Sequence, residues 1–433
     1  MNIKTNTLSI PARNTTFGAV LITLTLLLFI WLLPVSAQSA AAVNSSAQSS
    51  AMGGAFTGLA KGVDAAKYNP ANLGLDGYRQ NGLELVSFGT SITNNSFTLS
   101  DYNKYTGATL STSDKQDIME KIPTEGLSIN ADIEASALSL ALGSLVLSFN
   151  GVGSADINLN RDIIDLILNG NIFADTIDLS GSYSDGLSYA TANLSYGMPI
   201  YSSGTRQLAL GVTLSYIQGI GVEELVEMDG LAATYIEGYQ GQGSAIIRTA
   251  SGGSGYGLDL GAALKLNDTY TAGLRFENLL GSINWDKQTE EHGYIFEFDT
   301  ATIDDFDDDI VTSEDYSIDI ASFSTSLPTS MNVGFAKHGG KFLWAIDWTQ
   351  GFNSAPGTST KPRMAVGIEY RLLSFMPLRM GYSAGGDRNA AFSFGSGLKF
   401  FGFYMDMAVI TGSSLSAYSA KGANLAFSTG IQF

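Results

Sequence analysis

The stretch GANLAFSTGIQF, Gly422 to Phe433, is written in period two. Ala423, Leu425, Phe427, Thr429, Ile431 and Phe433 alternate with Asn424, Ala426, Ser428, Gly430 and Gln432. Successive side chains of a β-strand point to opposite faces, so this segment has one apolar face and one small or polar face. The same pattern recurs backwards along the chain. Phe401, Phe403, Met405, Met407 and Val409 alternate with Gly402, Tyr404, Asp406 and Ala408, and Phe342, Trp344, Ile346 and Trp348 alternate with Leu343, Ala345, Asp347 and Thr349. It holds as far as Leu83. A soluble sandwich alternates too, but its apolar face is its inside. So many alternating strands without a polar exterior predict a barrel with lipid outside and a lumen of small and polar side chains.

Loop lengths extend the reading to topology. Short links at Leu142-Gly143-Ser144, Asn267-Asp268, His338-Gly339-Gly340 and Phe401-Gly402 alternate with long connections, the longest near 223–253 and 286–327. Bacterial barrels pair short periplasmic turns with long outer loops, which predicts about 14 antiparallel strands with both chain ends periplasmic. The two longest loops keep alternating tracts and are expected to carry extra hairpins above the membrane. Ser113 and Asn160 read as N-caps of short helices in outer loops, over Ser113–Ile122 and Ile163–Leu168.

Composition narrows the function classes. The 433 residues include no cysteine and only two histidines, His292 and His338. A disulfide framework, a thiolate metal site and a Ser-His-Asp triad therefore lack raw material, and no cofactor or metal site is expected. A net charge of −18 argues against nucleic acid as a partner. The 49 glycines and 11% aromatic residues fit a Gly-rich lumen with aromatic girdles. Neither Gly221–Glu224 nor Gly252–Gly255 has the strand-to-helix context of a phosphate loop. The acidic run Asp304, Asp305, Asp307, Asp308, Asp309, Glu314 and Asp315 lacks calcium-loop spacing and reads as a solvated outer loop. No catalytic residue is assigned.

Two segments precede the barrel. Lys4 and Arg13, the apolar run Phe17–Leu33 and the small residues Val35-Ser36-Ala37 predict a signal peptide over 1–37; an uncleaved anchor helix is the competing reading. Residues 38–82 divide into a Ser/Ala/Gln spacer through Ser50 and the small-residue stretch Ser50–Gly77. That stretch is too poor in large apolar side chains to hold a core of its own. Its expected place is inside the barrel of residues 83–433, as a hatch, with Gly53, Gly54, Asn69, Pro70 and Ala71 as its key positions. Lys61 and Lys67 are expected to pair with lumen carboxylates such as Glu369 or Asp406. Arg363, Glu369, Arg379, Lys399 and Asp406 fall on the small/polar face and form a candidate lumen charge cluster. It reads as a wall ion-pair network or as a cation pair meeting a carboxylate headgroup.

The signal peptide, Gly53-Gly54-Ala55-Phe56, Tyr68-Asn69-Pro70-Ala71 and the following barrel resemble the long-chain fatty-acid transporter (FadL-like) superfamily of outer-membrane proteins. Asp114-Lys115-Gln116-Asp117-Ile118 with Ile122-Pro123, and Pro377–Ser383 with Gly385-Gly386, are similar to a functionally uncharacterised branch of it. The Arg379-x-Gly381-Tyr382-Ser383 element also resembles the type IX secretion shuttle barrel PorV. The resemblance implies an outer membrane of Gram-negative type, outer-membrane lipid as surroundings, and a C-terminal Phe433 read by the barrel-insertion machinery. It further implies passive uptake of a hydrophobic small molecule. The alternative is a non-transporting barrel that anchors or receives secreted proteins. A barrel enzyme is the third class, and no site motif supports it.

Overall fold

The period-two stretches form strands, and the strands close. The structure is a computed structural model and describes residues 45–170, 176–235, 238–301, 311–353, 355–386, 390–412 and 419–433. The leader and the acidic run Asp304–Asp309 lie outside the described residues. In chain order the strands are β1 (Gly82–Asn94), β2 (Leu127–Leu142), β3 (Leu145–Leu159), β4 (Thr176–Asp178), β5 (Tyr183–Ser203), β6 (Arg206–Tyr235), β7 (Gly238–Ala250), β8 (Gly253–Lys265), β9 (Tyr270–Glu277) and β10 (Ser282–Trp285). They continue as β11 (Glu290–Ala301), β12 (Val311–Asp319), β13 (Phe323–Ser326), β14 (Ser330–Lys337), β15 (Phe342–Gly351), β16 (Arg363–Leu373), β17 (Met376–Gly385), β18 (Ala391–Phe400), β19 (Phe403–Thr411) and β20 (Gly422–Gln432).

Fourteen of these make an antiparallel wall, running β1-β2-β3-β5-β6-β8-β9 and then β14 through β20. The last strand pairs with the first, with Phe88 opposite Phe427, so the wall leaves no free edge. The remaining strands project beyond the wall at the end that carries the long connections. β7, β11 and β12 extend a sheet from the upper part of β6, and β10 joins β8 to β13. At 30 residues, β6 far exceeds what an apolar band of about 25 Å requires. The extra hairpins expected in the two longest loops are therefore present.

The two faces of the wall differ as the alternation requires. Val86, Phe88, Leu194, Met380, Tyr382, Met407 and Leu425 stand exposed on the outside, while Ser87, Ser195, Ser383, Asp406 and Ser428 are buried inside. An apolar exterior this continuous is stable only against lipid. Among the described residues no helix is long and apolar enough to cross a membrane. Near the short turns, Tyr270, Phe335 and Trp344 form an aromatic belt with ring centroids 5.7 and 5.8 Å apart.

Helices occupy the connections and the N-terminal segment. They are α1 (Ala47–Ala51), α2 (Val63–Tyr68), α3 (Leu99–Tyr105), α4 (Thr112–Lys121) and α5 (Arg161–Asn169), with a 3₁₀ turn at Pro70–Gly74. The α4 cap differs from the sequence expectation. Ser111, two residues before Ser113, forms a capping box with Asp114, since only from there does the side chain reach the N3 amide while Asp114 returns to the cap amide. A similar box at Thr98 and Asp101 starts α3. The apolar sides of α4 and α5 meet in one cluster around Ile118, Ile122 and Ile164.

Candidate functional site: the lumen and its N-terminal segment

Residues 45–81 run through the lumen. Ser45–Ser50, expected as the end of a spacer, instead leads into and forms much of α1, whose Ala47 and Ala51 pack on Ala408 and Ala426 of the wall. The small residues work from both sides. Gly53 and Gly54 have φ of +70° and +90°, a left-handed turn that L side chains rarely adopt. Facing them, a Cβ added at Gly367 or Gly381 would run into the backbone of Met52 or Gly53. Gly211, Gly261 and Gly273 stand in the same way against Asn69, Pro70 and Ala71, or against Thr57. Glycine in the wall thus marks where the segment's backbone lies against it.

Directed polar contacts fix the segment. Asn69 caps the 3₁₀ turn, accepting from the Ala71 amide at 3.1 Å and donating to the Ala262 carbonyl of β8 at 3.0 Å. Pro70 occupies the first position of that turn, where a missing N–H costs nothing. Asp347 of β15 accepts from the Phe56 and Thr57 amides at 2.9 and 2.8 Å. Arg363 donates to the Gly53 carbonyl at 2.6 Å. Lys67 meets Glu84 of β1 at 2.9 Å, and not the Glu369 or Asp406 expected from sequence, because α2 leans on the β1–β2 side of the lumen. Among the described residues Lys61 meets no carboxylate; its ammonium lies 4.7 Å from the Tyr78 ring centroid.

Of the expected lumen cluster, the structure joins three members. Arg379 bridges Glu369 at 2.8 Å and Asp406 at 2.5 Å, and Gln48 of the segment donates to Asp406 at 2.9 Å. Arg379 is enclosed between its two carboxylates. Arg363 donates to Gly53, and among the described residues Lys399 joins none of the ion pairs of the cluster. Lys399 stands with Lys61, Lys265 and Arg371 near the short-turn end, where Lys265 meets Asp268 at 2.9 Å and Arg371 meets Glu369 at 2.8 Å. Burial, and then those three cations, lower the Lys61 pKa. Burial and the nearby Lys61 hold the His338 imidazole down to about 4. Burial raises the Asp64 carboxyl to about 6 against the pull of Lys67. Phe433 is exposed just beyond β20, its amide donating to the Asn81 carbonyl at 3.1 Å.

Above the segment lies a cavity of about 710 Å³. Leu187, Ile217 and Leu327 give it an apolar patch continuous with the buried cluster around Trp285 and Ile283. Asn130, Asp132, Glu134, Asn150, Asp156 and Asp185 line it on the β2–β3–β5 side. Sequence reading missed this wall and Glu84. The signal available was a carboxylate at an inward position of an alternating strand.

A closed barrel of fourteen strands with an apolar exterior and its own N-terminal segment inside is an outer-membrane-type β-barrel. The chain belongs to a family of unknown function, DUF5723, which matches residues 81–229 and 223–407. No curated protein matches it. Among solved structures it is similar to a deletion mutant of TodX, a monoaromatic hydrocarbon channel, with 14% identity over 90% of this chain and 99% of that one and a TM-score of 0.50. It is also similar to the toluene transporter TbuX of Ralstonia pickettii (13%; 89% and 97%; 0.49) and to a FadL homologue of Pseudomonas aeruginosa (12%; 92% and 99%; 0.48). At 14% identity the likeness to the TodX variant is one of fold alone.

Proposed function

We propose that this chain is an outer-membrane barrel for passive uptake of a small molecule with a hydrophobic body, and that residues 50–77 are its hatch. The observation that carries the reading is the stack in the lumen: a cavity of about 710 Å³ directly above a segment held by discrete polar contacts. Contacts of that kind break and re-form singly, so the segment can shift while the closed wall stays intact. The short-turn end faces the periplasm, and the long connections face outward. Similarity of fold to barrels described as hydrocarbon channels supports the hydrophobic body of the ligand. The reading involves no chemical step and no catalyst. Uptake of a labelled fatty acid or alkane by cells with and without the protein tests it; equal uptake rejects it.

A second reading, an interaction barrel that receives or anchors a secreted protein, is favoured by one feature. The sheet extended from β6 through β7 and β11 ends on β12, which among the described residues pairs only with β11. Copurification of a secreted protein, lost when β11 and β12 are removed and with uptake unaffected, would select it.

A further inference from the structure

The connection between β15 and β16 crosses the lumen. It leaves and rejoins the wall on one side, yet its Gly357 amide donates to the Asp156 carboxylate of β3 at 3.2 Å. A Cβ added at Gly357 would stand 3.0 Å from a carboxylate oxygen of Asp132 on β2 and from the Ser154 hydroxyl of β3. Those two strands are on the far side. One way round, β5, β6, β8, β9 and β14 separate β3 from β15; the other way, β17, β18, β19, β20 and β1 separate β16 from β2. The connection belongs to the outer end, and Ala355, Pro356, Gly357, Thr358 and Ser359 line the cavity there. The cavity thus has the N-terminal segment beneath it and this strap, residues 355–361, across its outer end.

The strap is built to move as one piece. Ala355-Pro356-Gly357-Thr358 is a β-turn closed by the Thr358 amide on the Ala355 carbonyl at 3.0 Å. Gly357 has φ of +81°, which with Pro356 before it gives the type II turn that favours glycine at its third position. That turn owes its shape to its own residues and keeps it whether or not the tip touches β3. The base is tied down separately. Gln350 donates to the Thr360 carbonyl at 2.6 Å, and Asn353 donates to the Leu327 carbonyl at 3.1 Å while accepting from the Thr329 amide at 2.7 Å. A stiff tip on an anchored base, seated on the opposite wall through a backbone amide, can lift from that wall while turn and base persist.

We infer that residues 355–361 are an outer gate of the cavity: seated on Asp156 they close its outer end to a ligand, and lifted they admit one. This rests on the uptake reading only for the direction in which the ligand travels. Asp156 also accepts from Asn130 at 2.6 Å, so its carboxylate stays held in the wall while the strap comes and goes. A ligand that passes the gate reaches the Leu187–Ile217–Leu327 patch with the N-terminal segment still in place below. The two ends of the cavity therefore open separately.

The chain has no cysteine, so an introduced thiol reports alone. Ser215→Cys places one in the cavity wall, and its rate of reaction with N-ethylmaleimide is measured in the full-length barrel in nanodiscs. Asp156→Ala, which removes the acceptor of the Gly357 amide, should speed that reaction about tenfold. Deletion of 355–359 should speed it at least as much. Both backgrounds are first checked for heat-modifiable folding, and unchanged reactivity in either folded variant overturns the inference. A second experiment shuts the gate. A Cβ at Gly357 would lie 3.6 Å from that of Ser154, within disulfide reach. Gly357→Cys with Ser154→Cys should therefore stop uptake of a labelled alkane by cells when oxidised and regain it in dithiothreitol. Uptake that continues through the closed disulfide also overturns the inference. If reactivity rises as stated and neither wild type nor variant takes up the alkane, the uptake reading fails and the gate stands.

Discussion

Lys67 of the N-terminal segment and Glu84 of the first wall strand form an ion pair at 2.9 Å whose side chains are 7% and 2% exposed. Ser87 and Ser45 accept further hydrogen bonds from the same ammonium at 3.3 and 3.0 Å. The pair ties the segment to the strand at which the barrel closes.

Removing one partner should cost more than removing both. Lys67→Met leaves Glu84 buried without its counter-ion, a loss of about 3–5 kcal/mol, whereas Lys67→Met with Glu84→Leu should recover most of it. Thermal unfolding of the purified barrel reads both. A double variant no more stable than the single would show that the pair is not what the site relies on.

Gly381 measures the fit between segment and wall. A side chain there would occupy the backbone of Met52 and Gly53. Gly381→Val should evict that part of the segment and open an ion conductance in planar bilayers, as should deletion of 50–77, with heat-modifiability retained. Gly211→Val should do the same at the Pro70–Ala71 end. Closed channels in all three would mean that the wall seals without the segment.

Asn69 serves the segment and the wall together. Asn69→Ala loses a helix cap, worth about 1 kcal/mol, along with the bond to the Ala262 carbonyl. The expected outcome is an intact barrel whose segment is cut faster by trypsin at Lys61 and Lys67 and whose uptake is altered. Unchanged cleavage would assign the turn's geometry to Pro70 alone.

Two groups give the segment opposing pH responses. His338, held at about 4 against an unfolded value near 6.5, contributes stability that is present above pH 6.5 and lost as pH falls towards 4. Asp64, raised to about 6 from its ordinary value, binds its proton more tightly when docked, so its contribution grows as pH falls through 6. Tryptic cleavage in the wild type should therefore change little between pH 7.5 and 5. His338→Gln should become more protected at pH 5, and Asp64→Asn less protected. Parallel profiles for the two variants would remove both groups from the response.

Deleting Phe433 should lower the amount of heat-modifiable barrel in the outer membrane. Its ring is exposed at the strand's end and its amide bonds only to Asn81, so the loss to the finished fold is small and the effect belongs to insertion. Undiminished barrel would make it a girdle residue.

The wall was legible in the sequence because each of its strands answers to two solvents at once. Phe427 and Ser428 declare lipid and lumen by position alone, and hairpin neighbours pair with hairpin neighbours, so strand order follows chain order. The alternation of short and long links supplies the count. The interior was less legible. That Lys67 meets Glu84 and not Asp406, that Gly381 is glycine because of Met52, that Asp347 anchors Phe56 and Thr57, and that Asp156 confronts Asp185 are contacts without a local period. They depend on how a segment threads a closed wall and on the stagger between strands. Carboxylates spaced along the sequence come onto one face only once β2, β3 and β5 have paired, because the stagger between strands, and no feature of the residues taken singly, decides which inward positions are neighbours.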